Sequence, residues 1–110
     1  MATVFERIIA GELPAEKVFE NERILVIQDL YPVAPTHLLV ISKKVIPSVG
    51  DLKEEDDLLV GEMMRVAAEV AQNRGLEEYR LITNRGPSAG QSIYHLHFHL
   101  IGGRQLGRLG

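Results

Sequence analysis

The chain has 110 residues, a formal net charge of −3 and no cysteine. This length is typical of one folded domain with one hydrophobic core, so we expect residues 1–110 to form a single domain. Without cysteine, neither a disulfide nor a cysteine-ligated zinc site can form. The acidic balance argues against a nucleic acid as partner, since proteins that bind its backbone usually present a basic surface.

No apolar run approaches the roughly 20 residues that a membrane-spanning helix needs. The N-terminal segment also lacks the charged-then-apolar layout of a signal peptide. We therefore expect a cytoplasmic protein that does not act at a membrane.

The first half of the chain predicts a short helix followed by three strands. Thr3 is a candidate N-cap, and Gly11 is a candidate stop for the helix. Residues 17–20 and 23–29 have strand-like composition, and residues 37–42 form a third apolar run. The second of these runs is apolar on both faces, so we expect it in the interior of a sheet.

The second half predicts one long helix over residues 53–74 and two further strands over residues 79–84 and 94–101. The helix carries an apolar stripe, which consists of Val60, Met63, Met64, Ala67, Val70 and Ala71. Five strands without βαβ alternation indicate an α+β fold, in which a five-stranded antiparallel sheet has the long helix on one face.

Three of the four histidines fall within five residues, at His95, His97 and His99. Side chains alternate between the faces of a strand, so we expect the three imidazoles on one face, roughly 7 Å apart. The apolar residues between them would pack under the long helix. A purely structural explanation is weak, because each buried imidazole needs a partner and protonated rings repel one another.

Two chemical interpretations of the histidines remain. His37 could complete a zinc site with the row, but three alternate strand positions spread over roughly 14 Å, too far to converge easily on one ion, so we expect no metal. Nucleophilic catalysis fits better, because neutral imidazole attacks without prior deprotonation. The central His97 would then be oriented, or assisted in proton transfer, by its neighbours.

The loop before the histidines, residues 86–92, favours phosphate chemistry. Its glycines allow backbone N–H groups to approach an anion, and Gln91 and Ser92 add side-chain donors. Such loops are common turns in their own right. Its position directly before the histidines is what favours a role in phosphate binding.

The segment His95-Leu96-His97-Phe98-His99-Leu100-Ile101 resembles the motif of the histidine triad (HIT) family, His-x-His-x-His-x-x with apolar x. Similarity covers nearly the whole chain, including residues 4–15, residues 29–41 and Gly102-Gly103-Arg104. The lead-in Gly90-Gln91-Ser92-Ile93-Tyr94 is typical of the HINT branch of purine nucleoside phosphoramidases.

The resemblance implies a homodimer whose protomers share a ten-stranded sheet, and no cofactor. It implies that His97 is the nucleophile and that His95 supports its orientation. His99 and Ser92 would contact the phosphate or the leaving group. His37 would be the fourth histidine of the site, hydrogen-bonded to the triad.

The resemblance also implies a purine nucleotide substrate and the residues that bind it. Asp29 would hold the ribose hydroxyls. The phosphate would be bound by Asn84, Gly90 and Gln91, and the purine slot would be lined by Phe5, Ile8, Ile27 and Leu30.

The function we expect is hydrolysis of nucleoside 5′-phosphoramidates of the AMP-amine or AMP-lysine type, through a nucleotidyl-histidine, to a nucleoside monophosphate. Alternatives are a dinucleoside polyphosphate hydrolase, a nucleotidyl transferase, or a nucleotide- or zinc-binding regulatory module with little turnover. Two departures bear on substrate preference: residues 105–110 lack the tryptophan common in animal members, and Arg85 and Pro87 stand in a loop expected to be more acidic or glycine-rich.

Overall fold

A computed structural model describes residues 2–110 of the chain. Within these residues, five strands form one antiparallel sheet. The α+β prediction is therefore confirmed. The elements are α1 (Val4–Ile9), β1 (Lys17–Glu20), β2 (Ile24–Gln28), β3 (Thr36–Ser42), α2 (Asp57–Asn73), β4 (Tyr79–Ile82) and β5 (His97–Gly102). Short 3₁₀ turns occupy Val49–Asp51, Glu54–Asp56 and Pro87–Ala89.

The strand order across the sheet is β1-β2-β3-β5-β4. All seven residues of β3 are buried, as its central position requires. Four of the five residues of β2 are buried too, which confirms the interior position predicted for it. In the ladder between β3 and β5, Ile41 lies opposite His97 and Leu39 lies opposite His99. This register places two of the histidines beside the middle of the sheet.

One face of the sheet packs against α2. The helix residues buried there are Met63, Val66, Ala67, Val70 and Ala71. Val66 lies outside the predicted stripe, whereas Val60 and Met64 lie inside it and are only partly buried. The buried set follows the i, i+3, i+4, i+7, i+8 spacing that begins at Met63. No helix within residues 2–110 is long and apolar enough to cross a membrane.

The other face is covered by α1. Phe5 and Ile8 of this helix pack on a second core, whose sheet residues are Leu25, Ile27, Leu39 and Ile41. Thr3 caps the helix as predicted: its Oγ1 accepts a hydrogen bond of 3.1 Å from the Glu6 N–H, and the Glu6 carboxylate accepts one of 2.9 Å from the Thr3 N–H. This reciprocal pair is a capping box, which gives hydrogen-bond acceptors to two backbone N–H groups at the start of α1.

Several predicted boundaries differ from the structure, and the two largest differences have local reasons. The long helix begins at Asp57 rather than at residue 53, because the buried Asp56 carboxylate accepts from the Lys53 N–H at 3.0 Å and closes a 3₁₀ turn. The last strand begins at His97 rather than at residue 94. The Leu96 N–H donates to the Ile46 carbonyl at 2.7 Å, outside the β3–β5 ladder.

Candidate active site

A cavity of about 390 Å³ lies on the face of the sheet that carries α1. Apolar side chains of the second core form part of its wall, and polar groups of β5 and the preceding loop form another part. The residues predicted for the site that line it are Phe5, Ile8, Ile27, Asp29, Leu30, Asn84, Gly90, Ser92, His97 and His99. His37, His95 and Gln91, which the prediction also named, lie outside this lining.

The cavity also has lining residues that the sequence prediction missed: Val4, Pro14, Ala15, Gln28, Tyr31, Leu39 and Ile93. Leu39 lies opposite Ile27 in the β2–β3 ladder. The alternation of β3 predicts that Leu39 faces the cavity, but only once the register between β2 and β3 is known. Pro14 and Ala15 belong to the irregular segment after α1, where no periodic pattern marks a facing side.

The ring of His97 is held in one tautomer. Its Nδ1 lies 2.6 Å from the backbone carbonyl oxygen of His95. A carbonyl can only accept, so Nδ1 carries the proton and Nε2 of the neutral ring is left with a free lone pair. Burial lowers the pKa of His97 below its ordinary 6.5, and this outweighs the raising effect of the hydrogen bond to His95. His97 is therefore neutral at neutral pH and can act as a nucleophile.

His99 is held in the opposite tautomer by a chain of hydrogen bonds. The Val33 N–H donates to Nδ1 of His37 at 3.1 Å. The remaining proton of the neutral His37 ring is then on Nε2, which lies 2.9 Å from Nδ1 of His99. His99 accepts at Nδ1, so its own proton resides on Nε2. Burial, with the neighbouring His97 and His37, lowers the pKa of His99 to about 4.

Asp29 joins the same network. One of its carboxylate oxygens lies 3.3 Å from Nε2 of His37, and the other accepts from the Tyr31 N–H at 2.8 Å. Since Nδ1 of His37 accepts a hydrogen bond, His37 is neutral and its single N–H is shared between His99 and Asp29. Asp29 also lines the cavity, where its carboxylate oxygens can accept hydrogen bonds from a ligand.

Asp29, His37 and His99 also bring three potential metal-ligand atoms within 4.8 Å of one another. Metal binding through Nε2 of His37 would require that nitrogen to lose its proton. The facing Val33 N–H prevents the proton from moving to Nδ1 without breaking a hydrogen bond. The donor set therefore fits a hydrogen-bond network better than a metal site.

The expected row of three imidazoles on one strand is wrong for His95. This residue precedes β5, its ring is fully buried, and it lies outside the cavity lining. Its Nε2 donates to the Ser42 carbonyl, and its Nδ1 accepts from the Thr3 hydroxyl at 3.0 Å. The ring also packs against Phe5, with centroids 5.8 Å apart. His95 thus anchors α1 to β3 and presents its carbonyl to His97.

The loop before β5 is closed by Gln91, which is buried and lies outside the cavity lining. Its side-chain oxygen accepts from the Gly86 N–H at 2.9 Å, and its amide nitrogen donates to the carbonyls of Pro47 at 2.8 Å and Ile93 at 3.2 Å. These bonds use the amide of Gln91 within the fold, and the expected contact of this side chain with phosphate stays a prediction. Gly90 has φ +102°, a left-handed conformation that favours glycine.

Comparison with known proteins places the chain in one family. Residues 2–108 match the family model described as "Scavenger mRNA decapping enzyme C-term binding". An uncharacterized HIT-like protein of Chlamydia trachomatis is 46% identical over 110 residues, covering 99% of each chain. The purine nucleoside phosphoramidase of Escherichia coli is 42% identical over 107 residues, covering 96% of this chain and 90% of the relative.

Solved structures of similar proteins agree with the sequence comparisons. A HIT family hydrolase from Legionella pneumophila superposes with a TM-score of 0.94 at 44% identity, covering 96% of each chain. A HIT family hydrolase from Clostridium thermocellum gives 0.93 at 40% identity, covering 97% of this chain and 95% of the other. With the paired histidines at its cavity and these relatives along its whole length, the chain belongs to the histidine triad (HIT) family.

Proposed function

We propose that this protein hydrolyses purine nucleoside 5′-phosphoramidates to nucleoside monophosphates. In the first step, Nε2 of His97 attacks the α-phosphorus, a P–Nε2 bond forms, and the P–N bond to the amine breaks. The amine leaves with a proton taken from the site or from water. In the second step, water attacks the same phosphorus and gives up a proton, which replaces the one taken by the amine. The P–Nε2 bond breaks, and the monophosphate is released with His97 restored.

The observation that carries this proposal is the pair of opposite tautomers. His97 offers a lone pair and His99 offers an N–H, and their ring centroids are 5.2 Å apart at the wall of one cavity. A nucleophile beside a hydrogen-bond donor is what displacement at a phosphoryl group needs, because negative charge builds on the phosphoryl oxygens and on the leaving group.

The positive charge that develops on His97 also has a partner. When Nε2 bonds to phosphorus, the ring keeps its Nδ1 proton and becomes cationic. The His95 carbonyl, 2.6 Å from Nδ1, points its negative end at that charge. This hydrogen bond becomes stronger as the reaction proceeds, so it stabilises the transition state more than the ground state.

The cavity suits a nucleoside monophosphate unit. At about 390 Å³ it falls within the usual range of small-molecule sites. Phe5, Ile8 and Ile27 supply apolar surface for a purine ring, and the Asp29 carboxylate supplies an acceptor for ribose hydroxyls. The similarity to the purine nucleoside phosphoramidase of E. coli supports a purine nucleoside phosphoramidate as substrate.

We also propose a homodimer in which the two sheets join. Strand β4 lies at one end of the strand order, so it presents an unpaired row of backbone groups to a second copy. Pairing of two such edges would give the ten-stranded sheet expected from the family. Analytical ultracentrifugation tests this directly, and a monomer at micromolar concentration contradicts it.

The test of function is turnover of an adenosine 5′-phosphoramidate by the wild-type protein and by His97→Ala. We expect loss of activity in the variant, and an acid-labile nucleotidyl adduct on the wild-type protein after rapid quenching. Tyr94→Ala is a matched control, since Tyr94 is half-exposed near His97 and lies outside the cavity lining.

Three outcomes would contradict the proposal. His97→Ala could retain wild-type turnover. The wild-type protein could bind AMP tightly without cleaving the P–N bond, as expected of a regulatory module. It could also cleave diadenosine polyphosphates much faster than the phosphoramidate, which would favour a polyphosphate hydrolase.

A further inference from the structure

The segment after β5 crosses the loop between β2 and β3. Gly103 has φ +97°, and a Cβ there would lie 3.0 Å from the Cβ of Pro35, so this turn passes close over the loop. The next residue, Arg104, then reaches Val33. Its Nε and Nη2 donate to the Val33 carbonyl at 3.1 and 2.9 Å, and its Nη1 donates to the Gln105 carbonyl at 2.7 Å.

Val33 is held by its backbone rather than by its side chain, which is exposed. Its carbonyl accepts from Arg104, and its N–H donates to Nδ1 of His37 at 3.1 Å. An exposed loop residue with little apolar packing is mobile unless polar contacts hold it. The guanidinium of Arg104 therefore restrains the Val33–Ala34 peptide group, and the adjoining Pro32–Val33 peptide group supplies the N–H that faces Nδ1 of His37.

The effect passes from His37 to the cavity. With the Val33 N–H in place, His37 donates from Nε2 and His99 must accept at Nδ1, so the N–H of His99 is on Nε2. If the Val33 N–H moves away, only the Asp29 carboxylate, 3.3 Å from Nε2, still favours a proton on that nitrogen, and the tautomer of His37 with its proton on Nδ1 becomes accessible. His99 would then donate from Nδ1 to His37, and its Nε2 would lose the N–H that serves as hydrogen-bond donor in the proposed reaction.

We propose that Arg104 is a positioning residue that sets the tautomers of His37 and His99 through the backbone of Val33. It touches neither the cavity lining nor the reacting atoms, and it acts across the Val33–His37–His99 chain of hydrogen bonds. The tautomer part of this proposal stands on geometry alone. Its effect on turnover rests on the proposed function.

The first experiment reads the tautomers directly. Long-range ¹H–¹⁵N correlation spectra of protein labelled with ¹⁵N-histidine distinguish protonated from unprotonated ring nitrogens. In the wild-type protein we expect His37 and His99 to carry their protons on Nε2 and His97 to carry its proton on Nδ1. In Arg104→Ala we expect averaged ¹⁵N shifts at His37 and His99, while the shifts of His97 stay unchanged.

Arg80→Ala is the matched control. Arg80 also donates from its guanidinium to a backbone carbonyl of the same terminal segment, that of Gly107 at 2.9 Å, but it makes no contact with Val33. We expect wild-type tautomers in this variant. Wild-type tautomers in Arg104→Ala overturn the proposal, and so does the same averaging in Arg80→Ala, because it would trace the effect to general loosening of the segment.

The second experiment measures kcat and KM for the adenosine phosphoramidate. In Arg104→Ala we expect kcat to fall about five- to tenfold, the size expected for loss of one ordinary hydrogen bond, with little change in KM. An unchanged kcat beside altered tautomers would overturn the catalytic part. Absence of turnover in the wild-type protein would instead contradict the proposed function and leave the tautomer result standing.

Discussion

The ring of His97 donates to the backbone carbonyl of His95 across 2.6 Å. The two residues therefore act together through a main-chain group, and the imidazole of His95 is directed elsewhere. That imidazole joins the Thr3 hydroxyl at the start of α1 to the Ser42 carbonyl at the end of β3. The ring of the proposed nucleophile, His97, is thus oriented by a backbone segment whose neighbouring side chain is held at both ring nitrogens.

The pH dependence of turnover follows from the low pKa of His97. Burial depresses this pKa below 6.5, so the ring is unprotonated and nucleophilic across neutral pH. We expect kcat/KM to stay flat from about pH 7.5 to 6.5 and to fall on the acid side at a pH below the ordinary histidine value. A pH–rate profile checks this, and an acid limb centred above 6.5 contradicts it.

Stability should also depend on pH through His99. Its pKa in the folded chain is about 4, against 6.5 as the ordinary value, so between these pH values the unfolded chain binds the proton and the folded chain does not. Stability is therefore lost as the pH falls from about 6.5 towards 4. After allowance for solvent screening, we expect His99 to contribute about 1 kcal/mol of the loss between pH 7 and 5.

Urea unfolding of the wild-type protein and His99→Gln at both pH values measures this contribution. The variant should lose about 1 kcal/mol less than the wild-type protein over the same interval. Equal losses in the two proteins would show that His99 is not held neutral by the fold.

Thr3 should matter to both stability and activity. Thr3→Val removes the helix cap and leaves Nδ1 of the buried His95 without its partner, so we expect a loss of about 1–3 kcal/mol and a lower kcat. Thr3→Ser keeps the hydroxyl and should retain most of both. Urea unfolding and steady-state kinetics are the measurements, and a Thr3→Val protein with wild-type stability would contradict the assigned contacts.

Gln91 provides a test between a loop-closing role and a ligand contact. Gln91→Leu removes hydrogen bonds to Gly86, Pro47 and Ile93, so we expect destabilisation by about 1–3 kcal/mol. Ser88→Ala, an exposed change in the same loop, should be neutral. If Gln91→Leu instead kept full stability and lost only AMP affinity, the side chain would be a phosphate ligand.

Much of this architecture is accessible from the sequence because it follows from periodicity. Alternation in β3 and β5 predicts which residues share a face, and the Thr3 cap and the Gly11 stop mark α1 correctly. The site was harder to predict where a residue leaves its strand. His95 has the spacing of a strand residue, yet Leu96 bonds to Ile46 outside the ladder, a long-range contact that no local pattern reveals.

Gln91 is a second case in which a long-range contact is not visible in the local sequence. A polar side chain in a glycine-rich loop suggests a ligand contact, and only the three-dimensional position of the Pro47 carbonyl shows that its amide is already used. The tautomers depend likewise on Val33 and Arg104, which are 71 residues apart in the chain. Sequence alone identifies the chemical groups, whereas the direction of each proton depends on long-range contacts.

The pairing of His97 with Ile41 and of His99 with Leu39 is favoured over other registers of β5 against β3. A slip of β5 by one residue would turn both imidazoles into the hydrocarbon layer beneath α2 and expose Phe98 and Leu100 on the opposite side. Such an arrangement would leave the imidazoles without hydrogen-bond partners and the apolar side chains exposed to water, and both effects would destabilise it. A shifted register that removes the histidines from the cavity is therefore also less stable. The same β3–β5 pairing favours both the folded sheet and the geometry of the site.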